Sequence, residues 1–110
     1  MTDTPALVWC PFPDAEVARE VASRLLEENL IACANILPRA ESLFMWEGSV
    51  SSGEETPVLF KSIAGLLDRV IERIGQLHPY DTPAIVGWQC DAAHPATLAW
   101  LGAVTAGEIS

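Results

Sequence analysis

The apolar residues near the start of the chain follow first a strand pattern and then a helix pattern. Residues 6–10 form a continuous apolar run that Pro11 stops, which predicts a short buried strand. Asp14 is a favourable N-cap for the segment that follows, and Asn29 before Leu30 is typical of a left-handed C-terminal cap. Between these caps, apolar residues recur at helical spacing and predict one buried helix face. They are Val17, Ala18, Val21, Ala22, Leu25 and Leu26.

The middle of the chain changes to an extended pattern. Residues 31–50 predict strand segments with a kink at Pro38, residues 51–53 (Ser-Ser-Gly) predict a turn, and residues 56–62 return as another strand. Together they predict a long β-hairpin. Ser62 is placed to cap a second helix, whose apolar positions again form one face. These positions are Leu66, Leu67, Val70, Ile71, Ile74 and Leu77.

The last third of the chain predicts one more strand and one more helix. Pro79 disfavours helical backbone at His78, so the second helix should end there. Residues 83–90 predict a strand, and residues 94–104 a short helix with Pro95 near its first position. The order β-α-β-β-α-β with a short C-terminal helix predicts an α+β, ferredoxin-like sandwich, with residues 1–110 as a single domain.

The predicted strands are apolar on both faces. Residues 43–46 and 58–60 are consecutive apolar residues, whereas a sheet with helices on one side should alternate apolar and polar positions. The second face would be a large exposed patch, which monomers avoid. We therefore predict that copies of the chain bury it against one another, with sheets inward and helices outward.

Charge and cysteine content narrow the classes of partner. The formal net charge is −9 and the chain has only 6 Lys and Arg residues, so nucleic acid and anionic membrane surfaces are not expected partners. The three cysteines include no CxxC motif and favour reduced thiols. With no apolar run of membrane-spanning length and no targeting segment, these features predict a soluble, cytoplasmic protein.

Five segments of the sequence resemble the CutA divalent-cation tolerance proteins. They are CPFPD at 10–14, EENLIACANILPRAESLFMWEG at 27–48, LFKS at 59–62, LHPYDTPAIV at 77–86 and ATLAWL at 96–101. The resemblance implies a ferredoxin-like fold and a homotrimer similar in architecture to the PII signalling proteins. It also implies a part in tolerance to divalent metals, copper especially, through weak metal binding and without a known enzymatic activity.

The resemblance points to Cys10 and His78 as metal ligands. A thiolate and an imidazole suit copper or zinc, and a third donor would come from Tyr80, Asp81, solvent or another subunit. Some members of the family carry a second histidine where this chain has Leu77. The alternatives are that Cys10 is a small buried apolar residue and that His78 caps the helix that precedes it.

Other residues suggest a cleft between subunits. The resemblance places Lys61 near such a cleft, and we group Tyr80, Trp46 and Glu47 with it as candidates. A pocket with this cation, a tyrosine hydroxyl and a tryptophan ring would bind a small anion or metabolite. The alternative is a lysine at a strand end and aromatic side chains packed in the trimer contact. Cys33 also aligns with a family cysteine, but its segment favours a buried strand position.

Three functions therefore remain open at this point. The main hypothesis is a trimer that contributes to metal tolerance. The alternatives are a PII-like sensor of a small molecule and a scaffold for another protein.

Overall fold

A computed structural model describes residues 3–108. It consists of five strands and three α-helices in the order β1 (Pro5–Phe12), α1 (Ala15–Glu27), β2 (Cys33–Ile36), β3 (Ala40–Trp46), β4 (Ser49–Ile63), α2 (Leu67–Leu77), β5 (Val86–Gln89) and α3 (Pro95–Thr105). The strands pair antiparallel in the order β2-β4-β1-β5, and β3 pairs with the first part of β4. The predicted α+β, ferredoxin-like arrangement is confirmed.

The caps of α1 agree with the sequence prediction. The Asp14 side chain accepts a hydrogen bond of 2.9 Å from the Val17 N–H. At the other end Asn29 has a φ of 59°, and the Leu30 N–H donates to the Leu25 carbonyl at 3.0 Å. This is the Schellman arrangement, in which a left-handed residue lets the chain turn back and satisfies carbonyl groups of the last turn.

The turn of the long hairpin lies earlier than predicted. Instead of residues 51–53, the two residues Glu47 and Gly48 form the turn, with φ values of 47° and 84°. Such a two-residue turn with two positive φ values matches the twist of the flanking strands. Residues 51–53 lie inside β4, where they pair with β3, and β4 is therefore 15 residues long.

The start of α2 also differs from the prediction. Ser62 does not cap the helix, because it lies within β4 and its buried hydroxyl donates to the Leu30 carbonyl at 2.6 Å. A 3₁₀ turn at Ala64–Leu66 follows, and α2 begins at Leu67. The predicted end of the helix before His78 is confirmed.

The core lies between helices α1 and α2 and one face of the sheet. In β1, Val8, Cys10 and Phe12 are buried in this core, whereas Leu7 and Trp9, which alternate with them, are only half-buried. We call the face that carries Leu7 and Trp9 the open face. No helix within residues 3–108 is long and apolar enough to span a membrane.

Candidate functional site

The residues predicted to bind metal meet at one corner of the molecule. Cys10 and Pro11 lie near the end of β1, and His78 is the first residue after α2. The His78 Nε2 atom is 2.9 Å from the Pro11 carbonyl oxygen, and the Cys10 Sγ atom is 3.5 Å from that same oxygen. The structure thus brings the two side chains together at one backbone carbonyl.

The hydrogen bonds of His78 determine its tautomer. A carbonyl oxygen can only accept, so the proton of the ring lies on Nε2, which donates to Pro11. The Nδ1 atom accepts a hydrogen bond of 3.2 Å from the Tyr80 N–H. Both ring nitrogens therefore have partners within the chain.

Aromatic side chains cover the faces of the His78 ring. Phe12 stacks on it with ring centres 4.7 Å apart and an angle of 18° between the planes. The Tyr80 ring lies at the same distance with a tilt of 52°. His78 is consequently only 7% exposed.

The environment of Cys10 keeps its thiol protonated. The residue is completely buried. Burial, together with the negative charge of Glu55, raises the pKa of the Cys10 thiol to about 12. Because the thiolate is the form that binds metals, this environment opposes ligation by Cys10 at neutral pH.

Tyr80 connects this corner to the β-hairpin. Its hydroxyl donates to the Glu55 carboxylate at 3.1 Å, and Glu55 pairs with Ala40 at the start of β3. Burial, followed by the hydrogen bond to Glu55, raises the pKa of Tyr80. Neither Glu55 nor the Pro11 carbonyl was predicted from the sequence, because both contacts form between segments far apart in the chain.

The geometry of the corner does not fit a bound metal ion as it stands. Both nitrogens of His78 are engaged, Cys10 is a buried thiol, and the Tyr80 hydroxyl is directed to Glu55. Among residues 3–108, no group of three or more His, Cys, Asp or Glu side chains is arranged to hold a metal ion. Metal ligation by Cys10 and His78 stays a prediction.

The residues predicted to form a cleft are spread along the molecule. Cys33 and Lys61 pair across β2 and β4, and Lys61 also pairs with Leu7 of the open face. Trp46 is at the far end of the hairpin, opposite Ser49. At about 3.3 Å per residue along β4, roughly 40 Å separate Trp46 from Lys61. One chain therefore does not bring them together, and a shared cleft would need a second copy.

Two of these residues also lie in places other than those expected. Cys33 is half-buried at the edge of the sheet rather than in the core. Its side chain lies on the open face, as that of Lys61 does, because paired residues of neighbouring strands share a face. Glu47 is a residue of the hairpin turn, where its φ of 47° lies in the left-handed region that disfavours most side chains.

Comparison with known proteins gives one consistent result. The family described as CutA1 divalent ion tolerance protein matches residues 6–104. The chain is 40% identical to the divalent-cation tolerance protein CutA of Pyrococcus horikoshii over 95 residues, which cover 86% of this chain and 92% of that protein. It is 35% identical to the protein of the same description from Pectobacterium atrosepticum, covering 94% and 97%.

Solved structures agree with the sequence comparison. The crystal structure of the divalent ion tolerance protein CutA1 from Ehrlichia chaffeensis superposes with a TM-score of 0.92 at 30% identity, covering 96% of this chain and 98% of that one. A CutA structure from Archaeoglobus fulgidus, described as a periplasmic divalent cation tolerance protein, superposes with a TM-score of 0.88 at 28% identity, covering 92% and 98%. The chain belongs to the CutA1 divalent ion tolerance protein family.

Proposed function

We propose that the protein contributes to divalent metal tolerance in the cytoplasm as a homotrimer, whose copies cover one another's apolar sheet surfaces. Membership of the CutA1 family supports the tolerance role, and the observation that carries the homotrimer is the exposure of the hairpin. Leu43, Met45 and Val50 are 69%, 66% and 72% exposed. Such a patch is typical of a surface that a partner covers.

The hairpin is apolar on both of its faces. Leu43 and Met45 lie on one face with Val50, and Phe44 and Trp46 lie on the other. All five are exposed. A two-stranded ribbon gains little stability by itself in water, and here no part of residues 3–108 covers either face. Contacts with other copies would supply the missing burial.

The open face continues this surface toward β5 and α3. Val86 and Trp88 of β5 are exposed, as is Trp100 of α3. Identical copies that share a patch of this kind assemble with closed symmetry, in which each interface repeats the same pairing. Three copies are the number that the likeness to PII-type trimers favours.

Copper enters the proposal as a weakly bound ion. A net charge of −9 attracts cations in general. Binding at Cys10 and His78 would have to break the contacts of both side chains with Pro11 and deprotonate a buried thiol. The function proposed is therefore one of binding and assembly rather than catalysis, in a reducing compartment that suits three free cysteines.

Light scattering with three proteins tests the assembly. The unmodified protein should have the mass of a trimer at micromolar concentration. Met45→Glu places a charge on the exposed apolar face of β3 and should give smaller species. Ser23→Glu adds the same charge to an exposed position on α1 and should remain a trimer. A folded monomer of the unmodified protein would refute the proposal.

The metal part needs a separate measurement. Elemental analysis of protein purified without added metal, followed by titration with Cu(I) and Cu(II), should show weak binding. Full occupancy by one metal that survives dialysis would contradict weak binding. Absence of any binding would contradict a direct role in handling metal, whereas the trimer would be unaffected.

Lys61 supports a second candidate, a sensor of a small anion. It is half-buried among the apolar residues of the open face, and within residues 3–108 it forms no salt bridge. A cation in such a place is suited to an anionic group brought by a ligand. Inorganic phosphate and a nucleoside triphosphate serve as probes, since a ligand of the folded state raises the melting temperature.

The sensor hypothesis predicts a rise in melting temperature that Lys61→Ala removes. Arg19→Ala removes a charge on the exposed surface of α1 and serves as the control, which should keep the rise. Equal shifts in both variants, or no shift in the unmodified protein, would exclude these anions as ligands of Lys61.

A further inference from the structure

The His78 ring joins two segments of the molecule that are distant in sequence. We propose that His78 is a positioning residue and not a metal ligand: it fixes the loop after α2 to the end of β1 and thereby holds the Tyr80 hydroxyl on Glu55, at the base of the hairpin. This inference goes beyond the proposed function and does not depend on self-association, because every contact lies within one chain.

The argument begins with the ring nitrogens. An imidazole binds a metal through the lone pair of an unprotonated nitrogen. In His78 the Nε2 atom carries the proton that bonds Pro11, and the Nδ1 lone pair accepts from the Tyr80 N–H. A metal at either nitrogen would replace one of these bonds and release one side of the loop.

The ring faces restrict movement of the side chain. Phe12, itself completely buried, stacks on one side of His78, and Tyr80 lies against the ring as well. A rotation that presented a nitrogen to solvent would separate these aromatic contacts. The packing and the hydrogen bonds thus favour the same orientation.

Tyr80 transmits the position of His78 to the hairpin. The Tyr80 N–H bonds His78, while its hydroxyl bonds Glu55, so one residue is held at both its backbone and its side chain. Glu55 is paired with Ala40, where β3 begins. The chain of contacts therefore runs from β1 through the loop to the root of the exposed hairpin.

The first experiment reads the two nitrogens directly. The chain has two histidines, and His94 accepts from the Ala96 N–H at the start of α3. Because asparagine is also a good N-cap, His94→Asn leaves His78 as the single histidine for ¹⁵N labelling. We expect a neutral ring with the proton on Nε2, and no change in either nitrogen signal when Zn(II), a diamagnetic probe, or Cu(I) is added.

A different tautomer, or a shift of either nitrogen signal that saturates with metal, would overturn the proposal. The nitrogen signals of His78 do not depend on whether the protein is a trimer, which light scattering measures separately. They are also independent of metal binding elsewhere on the chain, which would appear in elemental analysis without a change at His78.

The second experiment uses Tyr80, which is the single tyrosine of the chain. With ¹³C-labelled tyrosine, the Cζ signal reports the hydrogen bond to Glu55. We expect His78→Ala and Glu55→Gln to move this signal, and the double variant to move it no further than either single change. His78→Asn retains an acceptor near the Nδ1 position and should restore the signal in part.

A general loss of stability in His78→Ala would not by itself explain why His78→Asn partly restores the Tyr80 signal and why the double variant moves it no further. A Tyr80 signal that His78→Ala leaves unchanged would overturn the positioning role. If His78→Ala does not fold, the comparison of His78→Asn with the unmodified protein and the nitrogen spectrum still decide the question.

Discussion

His78 and Cys10 show how the surroundings of a residue select among its chemical roles. Both are residue types that bind soft metals, and the structure places them against the same carbonyl. Burial of the thiol and engagement of both ring nitrogens direct them toward structural roles. At this scale the structure brings together two residues that the sequence pointed to, whereas their chemistry depends on Pro11, Phe12 and Tyr80.

Cys10 carries a prediction about pH. Its pKa is raised from 9.0 to about 12 in the folded protein. Between these values the unfolded chain has lost the thiol proton and the folded chain retains it. The free energy of unfolding should therefore fall as pH rises through this range, by at most about 1.4 kcal/mol per pH unit from this group.

Urea unfolding at several pH values between 8 and about 11 measures this slope. Cys10→Ala should lower stability at pH 8, because it removes buried volume, and it should make the slope shallower, so that its deficit shrinks as pH rises. Cys33→Ala, at a half-buried edge position, should keep the slope of the unmodified protein. Equal slopes for Cys10→Ala and the unmodified protein would show that Cys10 does not remain protonated.

At the scale of the element, the hairpin shows that turn composition alone is a weak guide. Ser51, Ser52 and Gly53 are residues common in turns, yet they lie within a strand. The turn at Glu47 and Gly48 requires two positive φ values, and Gly48 meets this requirement without strain. Pairing of two long strands then fixes the register over the whole ribbon.

Two glycine substitutions test this turn. Gly48→Ala should lower the free energy of unfolding by about 1 kcal/mol, because an L-residue is disfavoured at its φ of 84°. An added methyl group would have no neighbour within 4 Å among residues 3–108, so the effect comes from the backbone.

Gly53→Ala is the matched control in the same hairpin. A methyl group there would make an ordinary contact with Phe44 at 3.9 Å, and the strand conformation should leave stability unchanged or slightly higher. Chemical denaturation compares the two variants. A larger loss for Gly53→Ala than for Gly48→Ala would place the turn where the sequence alone predicted it.

At the scale of the whole molecule, the distribution of apolar surface is the dominant feature. Helices α1 and α2 cover one face of the sheet and form the core cluster with it. The open face and the hairpin remain exposed, including Met45, Trp46 and Trp88. The covered face forms the core that stabilises the subunit. In our proposal, the open face and the hairpin form the contacts between copies.

The charge of the chain gives a prediction for the assembly. Copies that each carry a net charge of −9 repel one another, and salt screens this repulsion. The melting temperature of the assembled protein should therefore rise between low salt and about 0.5 M NaCl. Scanning calorimetry measures the melting temperature. Met45→Glu is the control: if this variant is dissociated, salt should change its melting temperature less. A melting temperature that falls with salt would contradict repulsion between copies.

The sequence by itself determined the features that depend on local chemistry. Asp14 and Asn29 set the limits of α1, and Pro79 ended α2, because caps and proline act through residues only a few positions away. Apolar periodicity gave the order of elements, and the run of apolar residues at 43–46 indicated a strand with both faces to cover. These signals sufficed for the fold class, although they misplaced the hairpin turn and the start of α2.

Only the tertiary structure decided what depends on segments distant in the chain. Ser62 donates to the Leu30 carbonyl instead of capping α2, Tyr80 donates to Glu55, and the Pro11 carbonyl accepts a hydrogen bond from His78. The packing of the sheet against its helices brings each of these groups close to its partner. Since a hydrogen bond forms with whichever group the fold brings within about 3 Å, the roles of these residues could not be read before their neighbours were known.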